Sequence, residues 1–461
     1  MTVASTRPRP QRQGLTDFTL AVTRDDVAAI HAAQAGPDWL LADREAGFEA
    51  FDGLPAETND LYTTYIDLRG AHLAETALHR SPRVEPTAIE LPSGSDGFLV
   101  ITDGDLTGVA LSREASAAGV ALTTLADLLE HRPERARELL EGARTLPGDD
   151  RFAQLTRAAW SQGVVLDVPA GVQLADPIIV RWATGAPGRA VIGRTLIVLG
   201  DRAKASVLEE LVGTDQALAS GTVAPQSFLA GTLEVHLGRD ARLEVASLQE
   251  LPETTIAFQH RNAVIGEGAT LRWALAQLGS RLVRSRVDNR LEGDRSQVEQ
   301  VEIVFGGDDQ LFDLTSYTRH IGRDTTGNLL SKGALLDRAR TYLKGMIVIE
   351  KTAIGTDSYL GEFGMNLSKA ARSVAIPSLE IDQPDCRRAA HSSSVGPIDE
   401  TQLFYLESRG IPPDEARKFI VLGFLEPVVA RVPVAEARDR LRAQLEAKWD
   451  AGVGSGADAA A

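Results

Sequence analysis

Cysteine is nearly absent from this 461-residue sequence, which contains only Cys386. A single cysteine excludes a disulfide framework and any metal site that takes two or more cysteines from one chain. Aromatic residues make up 5% of the sequence, which disfavours a groove that stacks sugar rings. No run of 18 apolar residues occurs, and residues 1–14 are polar and rich in Pro and Arg. The sequence therefore predicts neither a membrane-spanning helix nor a secretory signal.

Basic residues are outnumbered by acidic ones, with 48 Lys and Arg against 64 Asp and Glu, so the formal net charge is −16. Such a chain lacks the basic footprint with which proteins bind nucleic acid. The apolar fraction of 43% is ordinary for a globular protein, and the length suffices for two or three domains. We expect a folded cytoplasmic protein.

The first third of the chain has helical periodicity. Thr23 can cap a helix whose first turn carries Asp25 and Asp26, where they complement the helix dipole. Thr124 begins another helix, and Pro133 suits the first position of the next. After a disordered tail at residues 1–14, we predict helices over residues 24–30, 39–51, 125–131, 134–143 and 150–160.

The hydrophobic period changes to two after Gly163. Three turns share the pattern apolar-Gly-x-x-Ala, at residues 199–203, 237–241 and 265–269, and residues 291–296 are a looser fourth copy. Such a repeat indicates stacked strand-turn-strand units that share one core. Strands are predicted at residues 233–237, 243–248, 271–275, 298–304 and 346–349.

No helical segment lies between these strands, which disfavours a βαβ fold. A parallel β-helix fits the pattern, and a β-sandwich is the alternative. A β-helix has unpaired strand edges at both ends, which invite aggregation unless flanking helices or a partner chain cover them.

The C-terminal segment returns to helical spacing. Asp399 with Gln402 forms a capping-box pattern, and Gly410 closes that helix. The next helix is predicted to begin at Pro412-Pro413 and to end at Pro427. A last helix carries apolar residues at 437, 441, 445 and 449, before a Gly- and Ala-rich tail at residues 451–461.

Residues 379–411 contain the most specific motifs. They read LEI at 379–381, Cys386, HSSSVG at 391–396 and IDETQLFYLESRGI at 398–411. This stretch resembles the C-terminal signature of the SufB/SufD family of iron–sulfur cluster assembly proteins. The resemblance extends more weakly to residues 150–168, 279–281, 332–333 and 341–347, so it covers about residues 150–430.

The resemblance implies a right-handed parallel β-helix between helical segments. It implies an N-terminal helical region at residues 1–165, a β-helix core at 166–391 and a C-terminal helical, ATPase-docking region at 392–450. Family members pair with a paralogue through their β-helices and dock an ABC-type ATPase, SufC, on their C-terminal helices. No P-loop pattern is present here, so a non-enzymatic subunit is expected, with ATP hydrolysis in the partner.

The SufD branch of the family is favoured because residues 366–376 contain no cysteine, where the SufB scaffold carries one. SufD members often have Cys-Ser-His at the family histidine, whereas this chain has Ala389-Ala390-His391. The histidine therefore carries over and the cysteine does not. We expect a SufB-like partner, and iron or a nascent cluster bound transiently at the paralogue interface rather than a cofactor held by the lone chain.

His391 is the first candidate ligand, since imidazole suits iron and replaces cysteine in some iron–sulfur centres. The alternative is a histidine bonded to the backbone at the junction of strand and helix. Cys386, flanked by arginines that favour its thiolate, is a second candidate ligand or sulfur acceptor; the alternative is a surface cysteine without a role. The resemblance places the ATPase-docking face on Leu403, Phe404, Leu406, Arg409, Phe419, Ile420 and Phe424.

Two other functions stay open at this point. The chain could be the SufB-like scaffold itself and use Cys386 with a ligand from a partner. It could also be a β-helix polysaccharide lyase or hydrolase, although the motif at 398–411 and the absence of a predicted signal argue against that.

Overall fold

The computed structural model describes residues 13–80, 86–142, 146–214, 225–432 and 434–454. Most of the two predicted tails, at residues 1–12 and 455–461, lies outside these described residues. Residues 451–454, which were predicted to belong to the second tail, form the last turn of a helix instead. No helix of the described residues is long and apolar enough to cross a membrane.

The N-terminal region contains the predicted helices. The Thr23 hydroxyl accepts from the N–H of Asp26, and the Thr124 hydroxyl accepts from the N–H of Asp127, so both predicted caps are confirmed. The helices are α1 (Arg24–Ala33), α2 (Asp38–Gly53), α3 (Arg113–Ala117), α4 (Leu125–His131), α5 (Pro133–Arg137) and α6 (Arg151–Ala159), with a 3₁₀ turn at Thr63–Tyr65 and a π-helical turn at Glu138–Gly142.

Short strands also lie between these helices, which the helical prediction for this region did not include. They are β1 (Ala77–Leu78), β2 (Thr87–Ala88), β3 (Gly97–Thr102), β4 (Asp105–Leu111) and β5 (Ala121–Thr124). Strands β3 and β4 form an antiparallel hairpin, and β3 also pairs with the first strand of one solenoid sheet. These strands extend the solenoid sheets at their N-terminal end, so the edges of β6 and β7 are paired and the short strands β5 and β2 are the last strands there.

The core is a parallel β-solenoid, which confirms the predicted β-helix and excludes the sandwich. Even-numbered strands from β6 to β20 form sheet A and odd-numbered strands from β7 to β21 form sheet B, so the chain alternates between the sheets through about eight coils. The strands are β6 (Gln162–Val168), β7 (Ile178–Thr184), β8 (Arg189–Leu199), β9 (Lys204–Gly213), β10 (Ser227–Leu237), β11 (Arg242–Glu250), β12 (Thr255–Ile265), β13 (Thr270–Gln277), β14 (Leu282–Leu291), β15 (Gln297–Gly306), β16 (Leu311–His320), β17 (Thr326–Leu335), β18 (Arg340–Ile349), β19 (Asp357–Asn366), β20 (Arg372–Ile381) and β21 (Arg388–Pro397).

The repeated glycine turns stack directly on one another. The N–H of Gly238 donates to the carbonyl of Leu199 at 2.9 Å, and the N–H of Gly266 donates to the carbonyl of Leu237 at 3.0 Å. A Cβ on Gly266 would lie 2.5 Å from that same carbonyl oxygen of Leu237. The sequence repeats glycine here because only a residue without Cβ permits this approach of two backbones.

Three helices follow β21: α7 (Glu400–Ser408), α8 (Pro413–Val429) and α9 (Ala435–Gly454). Helices α8 and α9 pack on the outer face of sheet B. Helix α8 contacts β15 and β17, and α9 contacts β11. The prediction that Pro427 ends α8 is wrong, because the helix continues to Val429. Val428 and Val429 are buried against sheet B, and this burial holds the last turn in helical form despite the proline.

Candidate functional site

The C-terminal end of the solenoid is its terminal coil, formed by β20, the following turn and β21. Strand β20 pairs only with β18, and β21 pairs only with β19, so each is the last strand of its sheet in the described part of the chain. Helices α8 and α9 lie on the outer face of sheet B rather than over this end. Apolar side chains are exposed here, with Ile381 45% and Val395 40% accessible.

His391 lies on β21, in register with Leu360 of β19 and with Leu329 of β17. Side chains in register on parallel strands point to the same side of a sheet. Leu360 and Leu329 are buried in the apolar cluster at this end of the solenoid, so His391 continues an interior column. It is exposed because no further coil covers it, and its ring makes no hydrogen bond or ion pair with another described residue.

Cys386 lies in the turn between β20 and β21. Its side chain is half-buried and packs against the same terminal apolar cluster, beside Leu379 and Ala389. The flanking arginines bind carboxylates of neighbouring turns: Arg388 donates to Asp357 at 2.7 Å, and Arg387 pairs with Asp324. The two guanidinium groups that were expected to favour a thiolate are therefore already partnered.

Both candidate ligands thus belong to the terminal coil. The sequence alone predicted only that His391 lies where the β-helix meets the C-terminal helices. The described residues contain no group of three or more His, Cys, Asp and Glu side chains arranged to hold a metal ion. Of these two candidate ligands, His391 is exposed and Cys386 is partly enclosed.

Two carboxyl groups inside the solenoid are not predicted from the sequence. Glu362 of β19 is in register with Ser393, two residues beyond His391, and accepts the N–H of Ile376 at 3.0 Å. Burial, together with the nearby Glu302, raises the pKa of Glu362 to about 8, against the effect of that hydrogen bond. Burial also raises the pKa of Glu302 to about 7. Strand alternation is the signal that could have placed both inward. Glu302 lies two residues before buried Val304, and Glu362 lies two residues after buried Leu360, so each shares a face with a buried apolar residue.

The predicted docking residues divide into exposed and anchoring groups. Phe404 on α7 and Phe419 on α8 are 71% and 63% accessible. Arg409 is exposed and its guanidinium lies 5.2 Å from the ring centre of Tyr405, an exposed residue that the prediction omitted. Leu403, Leu406 and Ile420 are half-buried.

Phe424 has a different environment from the other docking candidates. It packs against the apolar cluster between α8 and sheet B. Lys332 of β17 lies 4.6 Å from its ring centre and donates to its carbonyl oxygen at 2.7 Å. Phe424 therefore anchors α8 to the solenoid, while Phe404, Tyr405 and Phe419 form an exposed aromatic surface on α7 and α8, which we call the aromatic surface.

The fold and these motifs agree with the comparison to protein families. The model of the "SUF system FeS cluster assembly, SufBD core domain" family matches residues 182–424. The chain belongs to the SufBD family of iron–sulfur cluster assembly proteins.

Individual relatives agree with this assignment. The iron-sulfur cluster assembly protein SufD of Bacillus subtilis is 25% identical over 439 residues, which cover 93% of this chain and 98% of that protein. A SufBD family protein of Mycobacterium tuberculosis is 29% identical over 304 residues, or 64% of this chain and 74% of the relative. One from Staphylococcus haemolyticus is 23% identical over 435 residues, covering 90% of each chain.

Proposed function

We propose that this chain is a SufD-like, non-enzymatic subunit of a cytoplasmic SUF complex. It pairs with a SufB-like paralogue at the terminal coil, docks a SufC-like ABC ATPase on α7 and α8, and presents His391 to iron or a nascent cluster. The observation that carries the proposal is the position of His391, which is exposed on the last strand of an uncovered coil.

The unpaired strands support pairing with another chain. Both β20 and β21 are ten residues long and present backbone N–H and C=O groups along one free edge. Free edges of this length readily add strands of another chain, and natural proteins cover them. Exposed Ile381 and Val395 supply apolar area beside these edges. A second β-solenoid with matching edges satisfies both needs.

The ligand count supports a shared binding site for the cargo. Iron–sulfur clusters are generally held by four ligands, usually thiolates, with histidine in some centres. His391 provides one imidazole, and Cys386 would add at most one thiolate. The paralogue therefore supplies the remaining ligands, and iron or the nascent cluster is cargo that arrives when the two chains meet.

The aromatic surface supports docking of the ATPase. Aromatic residues and arginine are the residue types that dominate binding energy at protein interfaces, and Phe404, Phe419, Tyr405 and Arg409 are all exposed. The opposite face of α8 is fixed to sheet B through Val421 and Leu425. When ATP closes two docked ATPase subunits on one another, α7 and α8 transmit that movement to sheet B, which ends at β21 and His391.

The test is to co-express the tagged chain with its SufB-like and SufC-like partners and to measure iron, sulfide and visible absorption of the purified complex. We expect His391→Ala to assemble the complex but to lower its cluster content severalfold. His131→Ala is the matched control, since His131 is exposed on α4 of the N-terminal region and is distant in sequence from His391. An undiminished cluster content in His391→Ala eliminates the ligand role.

The same purification distinguishes the second candidate. If the lone chain binds a coloured cluster, and Cys386→Ser removes it, the chain is the scaffold. If neither partner is captured by the tagged chain, the SUF-complex proposal fails as a whole.

A further inference from the structure

A polar cavity of about 300 Å³ lies at the junction of the N-terminal region and sheet A. Its lining comes from the segment around residues 67–72 and from residues at the starts of three sheet A strands. Gln226 precedes β10, Arg281 precedes β14, and Arg340 is the first residue of β18. The lining consists of Asp67, Arg69, Gly70, His72, Gln226, Arg281 and Arg340.

The cavity concentrates positive charge in a chain whose net charge is −16. Three guanidinium groups line the cavity, and Asp67 is the one carboxylate among its lining residues; Asp309 lies outside the lining, 3.7 Å from Arg281. Asp67 is buried and accepts two bonds from Arg69, from Nε and Nη2, each at 2.9 Å, and one from Nη1 of Arg340 at 2.9 Å. One carboxylate thus orients two arginines, and each of them keeps N–H groups that Asp67 does not use.

Arg281 is the arginine without a hydrogen-bonding partner. Its guanidinium makes no hydrogen bond with another described residue, and its closest carboxylate oxygen, on Asp309, is 3.7 Å away. Asp309 is already bound by Arg338 through two bonds of 2.7 and 2.9 Å. Only a third of the Arg281 side chain is exposed, so a partly enclosed cation lines the cavity with its donors unused.

The cavity wall is fixed before any ligand arrives. The Gln226 side chain accepts the N–H of His72 at 2.7 Å and donates to the carbonyl of Gly70 at 3.0 Å. Thr76 donates to the Gln226 carbonyl at 3.1 Å. Because the chain around Gly70 is held to the start of β10, this part of the wall is in place before a ligand binds, and Asp67 holds Arg69 and Arg340 beside it.

We propose that this cavity binds a phosphate-type oxyanion, with Arg281 as the principal ligand and Arg340 and Arg69 completing the site. The planar guanidinium fork matches two oxygens of a phosphate, and such charge-assisted bonds are the strong ones. The volume lies at the lower limit of small-molecule sites, which suits the phosphate group of a small ester such as a nucleotide. A bound anion would bridge the N-terminal region to β14 and β18.

Isothermal titration calorimetry of the full-length chain tests the proposal, with inorganic phosphate and adenosine monophosphate as separate titrants in chloride-matched buffer. Saturable binding of one molecule per chain is expected. Arg281→Gln should weaken it by about tenfold or more, as expected for loss of a charge-assisted pair. Its thermal unfolding should stay unchanged, because the side chain forms no hydrogen bond within the described chain. Arg281→Lys should restore part of the affinity.

The matched control is Arg295→Gln, which makes the same charge change at the opposite end of β14, on an exposed arginine paired with Glu267. Equal weakening in Arg295→Gln and Arg281→Gln would indicate general charge screening and overturn the proposal, as would the absence of saturable heat with both titrants. Tighter binding of adenosine monophosphate identifies a phosphate ester as the ligand; equal affinities identify the free anion.

Discussion

Asp150 and Arg284 join the N-terminal region to the solenoid, with Oδ2 of the aspartate 2.7 Å from Nη2 of the arginine. The same aspartate caps α6, because its Oδ1 accepts the N–H of Phe152 at 2.8 Å. It also binds His260 at 2.8 Å and Arg286 at 3.2 Å. Burial alone would raise the pKa of Asp150, but Arg284, His260 and Arg286 outweigh burial and hold it well below its usual range.

Replacing Asp150 by Asn should destabilise the protein by about 3–5 kcal/mol at neutral pH, because it leaves buried cations without their anion. The folded-state pKa of Asp150 is lowered, so its stabilisation is present above the unfolded pKa of about 3.9 and is lost as the pH falls below it. Urea unfolding at pH 7 and at pH 3 should show the difference between parent and variant shrinking in acid. Asp149→Asn is the control; its side chain is 63% exposed, and a change below about 0.5 kcal/mol is expected.

The stacked turns predict opposite outcomes for two Gly→Ala substitutions. A Cβ on Gly293 would lie 2.0 Å from the backbone nitrogen of Glu267, so Gly293→Ala must displace one coil from the next. We expect a loss of about 1–3 kcal/mol, as for other overpacked sites. Gly423 is exposed on α8, and no atom of the described residues lies within 4 Å of the position that a Cβ would take, so alanine there should stabilise the helix by about 0.5–1 kcal/mol. Denaturant midpoints of the two variants test the contrast, and equal shifts in one direction would contradict it.

Glu362 should make the free energy of unfolding fall as the pH rises, because its side chain ionises more readily in the unfolded chain. Its folded pKa of about 8 exceeds the unfolded value, near 4.3, so the folded state holds the proton more tightly and loses stability between those two values. Glu362→Gln keeps an acceptor for the Ile376 N–H but cannot ionise. The variant should match the parent near pH 5 and exceed it above pH 8, by on the order of 2–4 kcal/mol. Glu299→Gln, on an exposed residue of β15, should alter neither end of the profile, and a pH-independent effect of Glu362→Gln would refute this account.

The aromatic surface should matter for ATPase capture but not for folding. Phe404→Ser and Phe419→Ser remove exposed side chains, so each variant should unfold within about 0.5 kcal/mol of the parent. Together they should reduce the amount of ATPase that co-purifies by about tenfold or more, because central aromatic residues dominate interface energies. Leu61→Ser removes a comparably exposed apolar side chain in the N-terminal region and should capture the ATPase normally. Normal capture by the double variant would mean that docking occurs elsewhere.

The sequence predicts the local structure well because caps and turns act over a few residues. Thr23, Thr124 and Asp150 each begin a helix where predicted, and the apolar-Gly-x-x-Ala turns fall between successive strands. Long-range pairing is different. Asp150 and Arg284 are 134 residues apart, and no local pattern encodes their contact.

The candidate site shows the same division. The motif identifies His391, but only the register with Leu360 shows that it continues an interior column. Glu362 was missed because its charge favours an outward position, and its alternation with buried Leu360 becomes evident only once the bounds of β19 are known. Helices α8 and α9 pack over sheet B rather than over the solenoid end because the outer face of sheet B is apolar and these helices cover it.

Because the coils stack in register, the length of the solenoid increases by a fixed step with each coil. Neighbouring strands are separated by about 4.8 Å, so the number of coils sets the distance from the N-terminal strands to β21. Gain or loss of a single coil would leave the interior chemistry intact, yet it would translate His391 by that step relative to α8 and α9, which rest on β11, β15 and β17. The number of coils between the strands that carry α8 and α9 and the last strand β21 therefore sets how far His391 lies from those helices, in steps of one strand spacing.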